Sequence, residues 1–354
     1  MSKLTYIDKP VFGLDIGRSS IKVMQIDNTG KKAQVVAYGN TNFDPDAIAM
    51  GVIVDIEAIV KSTHELCTQN LIGALTTKRV SLSLPNEHSF SRILSLPIMN
   101  ESDLALAVFN EAERAIPLPI NELYFDYRAM GVSDDGSQEV QLVATPKKIV
   151  DSYMQVAAAL GIEVAAVETN ITAVSRMVTH SEGDDVVSLI IDLGSTAADL
   201  SIYDGNSVRI TGTADCGSDD ITALIGKALG VSVAQAHTIK TRYGLEPSKK
   251  QKEIRDAIEP ELSKLVAEIR KVMRYYSERA SVEAQIGQVI VLGGGANLPG
   301  LSTYLTNEVR LPTRLCDPCQ NLTFGALQPP SLLETTLYTT AGGLSLVRPE
   351  DLSA

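Results

Sequence analysis

Two aspartates, Asp15 and Asp192, each close an apolar run and are followed two places later by a glycine and then by small residues. The first run is Phe12-Gly13-Leu14-Asp15-Ile16-Gly17-Arg18-Ser19-Ser20-Ile21-Lys22-Val23. The second is Ser188-Leu189-Ile190-Ile191-Asp192-Leu193-Gly194-Ser195-Thr196-Ala197-Ala198-Asp199-Leu200. At one offset of 177 residues (192 less 15), Asp15 falls on Asp192, Gly17 on Gly194, Ser19 on Thr196 and Asp27 on Asp204. The chain has 354 residues, so the offset is half its length and the sequence reads as two similar halves. The chemistry this suggests is polyphosphate binding. A carboxylate at a strand end can meet a hydrated cation. The glycine permits a tight turn, and short side chains leave backbone N–H groups free for an anion. A single Asp-x-Gly is an ordinary turn signal. Two in register, facing across a cleft, would clamp a triphosphate and its Mg²⁺ between domains. Asp15 and Asp192 are then expected to hold water-bridged Mg²⁺. Gly17, Arg18, Ser19 and Ser20 would cradle phosphates on one side, with Gly194, Ser195 and Thr196 on the other. Strand alternation leaves open whether Lys22 points inward onto phosphate or outward.

A third cluster follows the apolar run Gln288-Val289-Ile290-Val291-Leu292. There Gly293, Gly294, Gly295 and Asn297 precede Pro299-Gly300 and a helix expected from Leu301. Glycines without side chains let a flat base lie on the backbone, so these residues are expected to line an adenine. Around these loops, residues 1–80 and 145–187 read as a first α/β domain, to which 331–354 return, and 188–330 as a second. Residues 81–144 read as an inserted small α/β subdomain: strand, helix Glu101 to Ala115, strand Leu123–Met130, a turn at Asp134-Asp135-Gly136, and strand Glu139–Ala144. Such a module offers sheet edges or a groove for a partner peptide. A helix is expected from Gln251 to Ala280, kinked or interrupted at Pro260, with an apolar face of three- and four-residue spacing.

Composition narrows the classes. Hydrophobic residues at 44% and charged residues at 21% describe a globular chain. A net charge of −12 opposes nucleic-acid binding and anionic lipid. No apolar run reaches the ~18–20 residues that span a bilayer, and Met1 to Thr5 lacks the order of a secretory signal. The expected location is the cytoplasm, with any membrane role exercised through a partner and no direct insertion. Four cysteines make no disulfide framework, and Cys316-Asp317-Pro318-Cys319 is a lone CxxC without a second pair for zinc.

The three glycine-rich segments resemble the phosphate and adenosine motifs of the actin-like ATPase superfamily. That resemblance implies two ribonuclease-H-like domains enclosing ATP (or ADP) and joined by crossing connector helices. The first connector looks like Val167–Val174, and the second like Thr339–Leu344. Glu168 falls where the superfamily carries a residue that orients the attacking water. Gly217, His237 and Lys240 fall where relatives approach ribose or phosphates, although a glutamate is usual in place of His237. Leu94-Ser95-Leu96-Pro97, then Asn110 to Pro119, Leu123 to Tyr127, and Glu268-Ile269-Arg270-Lys271-Val272-Met273-Arg274-Tyr275-Tyr276 are similar to the PilM family of type IV pilus assembly proteins. This implies an ATP-binding component of an inner-membrane pilus (or related secretion) platform, with at most slow ATPase activity. Its partner would be the N-terminal cytoplasmic tail of a PilN-like membrane protein, alongside other platform proteins. Self-association into a homo-oligomer is left open. Two other readings remain: a polymerising protein resembling FtsA, and a sugar-kinase-type phosphotransferase. Against the second, no distinctive acceptor-pocket motif is legible beyond the shared phosphate loops.

Overall fold

The computed structural model describes residues 9–133, 136–183, 186–205, 207–278 and 285–348. The first apolar run forms β1 (Phe12–Ile16) and β2 (Ser20–Asp27), an antiparallel hairpin extended by β3 (Gln34–Asn42). After a small ribbon of β4 (Ile48–Ala49) and β5 (Val52–Ile53) comes α1 (Ile56–Glu65), capped by the Asp55 side chain on the Ala58 N–H. Then β6 (Ile72–Gly73) and β7 (Arg79–Leu84) complete this stretch. β7 lies parallel to β1, in a sheet of order β11-β7-β1-β2-β3-β6. Because Ser81 to Leu84 are ladder residues of this sheet, the insertion begins after Leu84 and not at 81.

The insertion holds β8 (Phe90–Leu96), α2 (Glu101–Ala115), β9 (Leu123–Val132) and β10 (Gln138–Pro146), with sheet order β8-β10-β9. Asn100 caps α2 by accepting the Asp103 N–H at 3.0 Å. Leu104, Val108 and Ala112 recur every fourth residue and are buried, so one stripe seals the small sheet. The expected turn residues Asp134 and Asp135 lie outside the described residues.

The chain returns to the first domain as α3 (Lys147–Leu160), β11 (Glu163–Thr169) and α4 (Asn170–Glu182). Val167 to Thr169 are therefore strand, pairing with Leu82 to Leu84, and the first connector helix starts only at Asn170. The second domain repeats the layout: β12 (Ser188–Leu193), β13 (Ala198–Tyr203), β14 (Val208–Ala214), β15 (Gln288–Leu292) and β16 (Thr313–Leu315) in order β14-β13-β12-β15-β16. Helices α5 (Ser218–Leu229), α6 (Val233–Tyr243), α7 (Gln251–Ser277) and α8 (Leu301–Val309) complete it. Helix α7 runs unbroken through Pro260. An interior proline costs a helix about 3 kcal/mol. Here the proline is on the exposed face, while Ile254, Ile258, Leu262, Leu265, Val266, Ile269, Val272 and Tyr276 are buried along the other. Burying each large apolar side chain is worth about 1.5–3 kcal/mol, so the packed face overrides the proline. Residues 279–284 lie outside the described set, so the expected end at Ala280 is not reached.

The return to the first domain starts before residue 331. Thr323 already bridges to β3, with its N–H donating to Ala33 O at 3.0 Å and its carbonyl accepting Val35 N–H at 2.8 Å. Helix α9 (Thr339–Ser345), all of it buried, then crosses α4 and packs on β1 and β2. The crossing is close because its residues are small. A methyl on Gly343 would strike the Ala173 carbonyl, and one on Gly13 the Ala341 carbonyl.

Candidate functional site: a cleft between two matched hairpins

The two hairpins are the same object built twice. In the first, Asp15 pairs with Lys22 and Gly17 N–H donates to Ser20 O at 3.0 Å. In the second, Asp192 pairs with Asp199 and Gly194 N–H donates to Ala197 O at 2.9 Å. Every one of these positions keeps the 177-residue offset. Between them lies a cleft of about 810 Å³, within the usual range for small-molecule sites. Its walls include Asp15, Gly17, Arg18, Ser19, Ser20 and Lys22 from one domain. From the other come Asp192, Gly194, Ser195, Thr196, His237, Lys240, Gly293, Gly294, Gly295 and Asn297.

Lys22 points inward: its Nζ lies 3.3 Å from Asp15 Oδ2, while Ser83 donates its hydroxyl to Asp15 Oδ1 at 2.7 Å. The second hairpin carries a carboxylate where the first has that lysine. Asp199 accepts from Asn170 Nδ2 at 2.8 Å and from Thr213 Oγ1 at 2.9 Å. Burial and the neighbouring Asp199 and Asp15 charges push Asp192 from 3.8 up to about 7, against the opposing pull of Lys22. Asp199 is also raised, chiefly by burial. Crowded carboxylates that resist ionising together are a donor set that fits a hydrated divalent cation, which would relieve their repulsion. A proton should therefore compete with Mg²⁺ for Asp192. Magnesium affinity, read by titration at fixed ionic strength, should fall about tenfold per pH unit below about 7 and level off above it.

Glycines shape the second wall. Gly293 has φ 85°, and a Cβ there would meet the Asp192 carboxylate and Leu193 backbone. Gly217, expected near the phosphates, does not line the cleft; it packs beneath the second turn, where a side chain would collide with Ser195 and Thr196. Its neighbours do the docking: Ser218 and Asp219 N–H donate to Gly194 and Ser195 carbonyls at 3.0 and 2.9 Å. This joins the start of α5 to the turn. Lys240 is buried with neutral partners, donating to Ser218 O, Ser218 Oγ and Thr222 Oγ1 at 2.9, 2.6 and 2.7 Å. Burial holds its ammonium below the usual lysine value. His237 sits exposed at the rim. On the expected base side, Asn297 Nδ2 donates to Leu333 O at 2.7 Å, and the Leu337 side chain lies against Gly294.

Glu168 is placed elsewhere. Its carboxylate takes both Arg176 Nη1 and Nη2, at 2.6 and 2.7 Å, and Arg176 also donates to Gly343 O at 2.8 Å. Glu168 is not among the cleft-lining residues, and its pairing with Arg176 braces the connector crossing. Glu168→Gln should lower stability by about 1–3 kcal/mol in thermal or denaturant unfolding, because it removes the carboxylate charge that the part-buried Arg176 faces. Nucleotide affinity should stay within about threefold of the parent if this bracing is its role.

Sequence reasoning missed Asp199, Ser83, Asn170 and Thr213. Asp199 was within reach, since it lies at the Lys22 position of the repeat. The other three are brought in by neighbouring strands and α4, which no local spacing reveals. Both CxxC thiols are free and pushed up to about 12 by burial, and among the described residues they belong to no cluster of three or more His, Cys, Asp or Glu side chains.

The family described as "Type IV pilus assembly protein PilM" matches residues 13–349. The chain belongs to the PilM family of type IV pilus assembly proteins. A solved structure titled "PilM-PilN type IV pilus biogenesis complex" superposes with a TM-score of 0.82 at 22% identity, covering 98% of this chain and 99% of that one. MreB5 of Spiroplasma citri bound to AMPPNP superposes at 0.55 with 14% identity, covering 95% of each chain. Both likenesses show the actin-like ATPase fold. The cell division protein FtsA of Borreliella burgdorferi is 23% identical over 351 residues, 86% of this chain and 84% of its own. No helix among the described residues is long and apolar enough to cross a membrane.

Proposed function

We propose that this PilM-family chain binds ATP with Mg²⁺ between its two domains and, in that state, captures an N-terminal cytoplasmic peptide of a PilN-like membrane protein. The observation that carries the nucleotide part is the pair of matched turns opening on one cleft, each with its aspartate aimed inward. Gly17 to Ser20 and Gly194 to Thr196 would take the phosphates from opposite sides. Asp15 and Asp192 would take the hydrated cation, with Asp199 behind it. Gly293 to Gly295 would lie under the base, with Leu333 and Leu337 over it. Lys240 and His237 stand toward the ribose. A cation bound there would neutralise phosphate charge. What this chain supplies is position: N–H groups held by two rigid hairpins, and two walls that a single ligand can bridge.

Turnover would be at most slow, since the connector glutamate is committed to Arg176. The partner part is supported by family membership and by the insertion, whose sheet ends in β9, an edge strand. Binding a membrane protein's tail would hold the chain at the inner face of the membrane without insertion.

The test is calorimetry on the full chain with Mg-ATP and with a synthetic PilN-like N-terminal peptide, separately and together. The expected result is binding of Mg-ATP alone and tighter peptide binding in its presence. No binding of Mg-ATP, or of peptide under either condition, would overturn the corresponding half. Sedimentation with Mg-ATP tests the FtsA-like reading, for which ordered filaments are the expected sign.

A further inference from the structure

Arg209 of β14 stands between two carboxylates that belong to different units. Its Nε donates to Asp204, at the head of its own turn, and its Nη1 donates to Glu139 Oε2 at 2.5 Å. Glu139 lies on β10 of the insertion, whereas Arg209 belongs to the second domain. All three side chains are more than two-thirds buried, so the pair is shielded better than a surface bridge. Asp204 fixes the guanidinium before Glu139 meets it, which removes part of the entropy cost of the second contact.

The surroundings give this pair a mechanical role. Strand β8, an edge of the insertion sheet, approaches β14, an edge of the second domain's sheet, yet the two sheets remain separate. A cavity of about 260 Å³ lies in that region, lined by Phe90, Arg92, Ile116 and Leu142 of the insertion and by Thr211 of β14. With no shared ladder, side chains must hold these edges together. The same region connects to the phosphate end of the cleft. Asn170, which donates to Asp199, accepts the Asn86 N–H at 3.1 Å, and Glu87 beside it lines the cleft. Asn86 to His88 form the short turn that leads into β8.

We propose that the Arg209–Glu139 ion pair is a latch that fastens the insertion to the second domain, so that closing the nucleotide cleft and seating the insertion are one event. Rotation of the domains about the α4–α9 crossing must then either break this pair or carry the insertion along. The latch is a property of the ligand-free chain. It rests on the proposed nucleotide function only for the trigger that sets it.

Hydrogen exchange on the full chain tests the latch. Glu139→Gln should speed exchange of β8 and β14 amides about three- to tenfold while leaving those of β1 and β12 at parent rates. Arg209→Gln should do the same, and the double variant should be no faster than the faster single variant, as required of two partners in one contact. In the parent, Mg-ATP should slow these amides further, and it should do so less in Glu139→Gln. Parent-like exchange in Glu139→Gln, or effects that add in the double variant, would overturn the latch. Nucleotide binding measured on the same samples separates the two ideas. A parent that binds no Mg-ATP sinks the proposed function, while the ligand-free exchange contrast still decides the latch.

Discussion

Gly343→Ala should destabilise the protein by about 3 kcal/mol or more, the upper end of what overpacking costs. A methyl at this position has only backbone to meet, the Ala173 carbonyl oxygen and carbon, so no flexible side chain can move aside. To make room, α9 must separate from α4, the helix that leads from the first domain into the second. Separation would also lengthen the Arg176 to Gly343 hydrogen bond and loosen the Arg176–Glu168 pair behind it. The loss should be read as a lowered thermal midpoint, about 2–4 °C per kcal/mol for a domain of this size, or as failure to fold. Gly30→Ala is the control. The nearest atom to its added Cβ is at an ordinary contact distance of 3.5 Å, so its effect should stay within about 0.5 kcal/mol. A Gly343→Ala protein as stable as Gly30→Ala would mean that the helices do not cross as closely as described.

Asp192→Asn should move stability and ligand binding in opposite directions. Asp192 is raised from 3.8 to about 7 in the folded chain, so folding disfavours its charged form. Its contribution to stability is therefore greatest in acid, is lost as the pH rises from about 4 to about 7, and is unfavourable above that. The amide removes this penalty, so the ligand-free variant should be more stable than the parent by about 1–2 kcal/mol at pH 8. The gain should vanish near pH 4. Mg-ATP affinity should meanwhile fall about 10- to 100-fold, with magnesium-free ADP affected about threefold at most. The magnesium dependence on pH should disappear with the carboxylate. Equal losses for the two nucleotides would take Asp192 out of metal binding, and a variant less stable than the parent at pH 8 would contradict its electrostatic setting.

Much of the architecture was legible because the two halves repeat. The offset from Asp15 to Asp192 marked both hairpins, and the structure keeps it down to the hydrogen bond that closes each turn. Helix α2 was legible from Glu101 to Ala115, because the prolines that follow it act locally. The errors lie where tertiary contacts outweigh local signals. Pro260 reads as a kink or an interruption, yet α7, with eight buried side chains along its other face, continues across it without interruption. Ser81 reads as the start of the insertion, but β7 continues to Leu84 because it is sandwiched between β1 and β11. The cleft shows the same division. The glycines and aspartates of the turns were legible by type and spacing. The partner that diverts Glu168 lies eight residues away on the following helix, and Ser83 reaches Asp15 from a neighbouring strand. Gly217 was expected beside the ribose or phosphates through the resemblance alone, and only three-dimensional packing shows that it supports the turn from below.

The unlike residues opposite Asp15 and Asp192 give the twin lobes opposite polarity. One lobe offers an ammonium beside its carboxylate, and the other offers a second acid. In the proposed function, an incoming polyanion would be drawn to the Lys22 side, and a divalent ion to the Asp199 side. Without the ion, a nucleotide would lean on one lobe and be repelled by the other, leaving the jaws unjoined. The metal would then act less as a chemical assistant than as the rivet that lets both lobes hold one molecule.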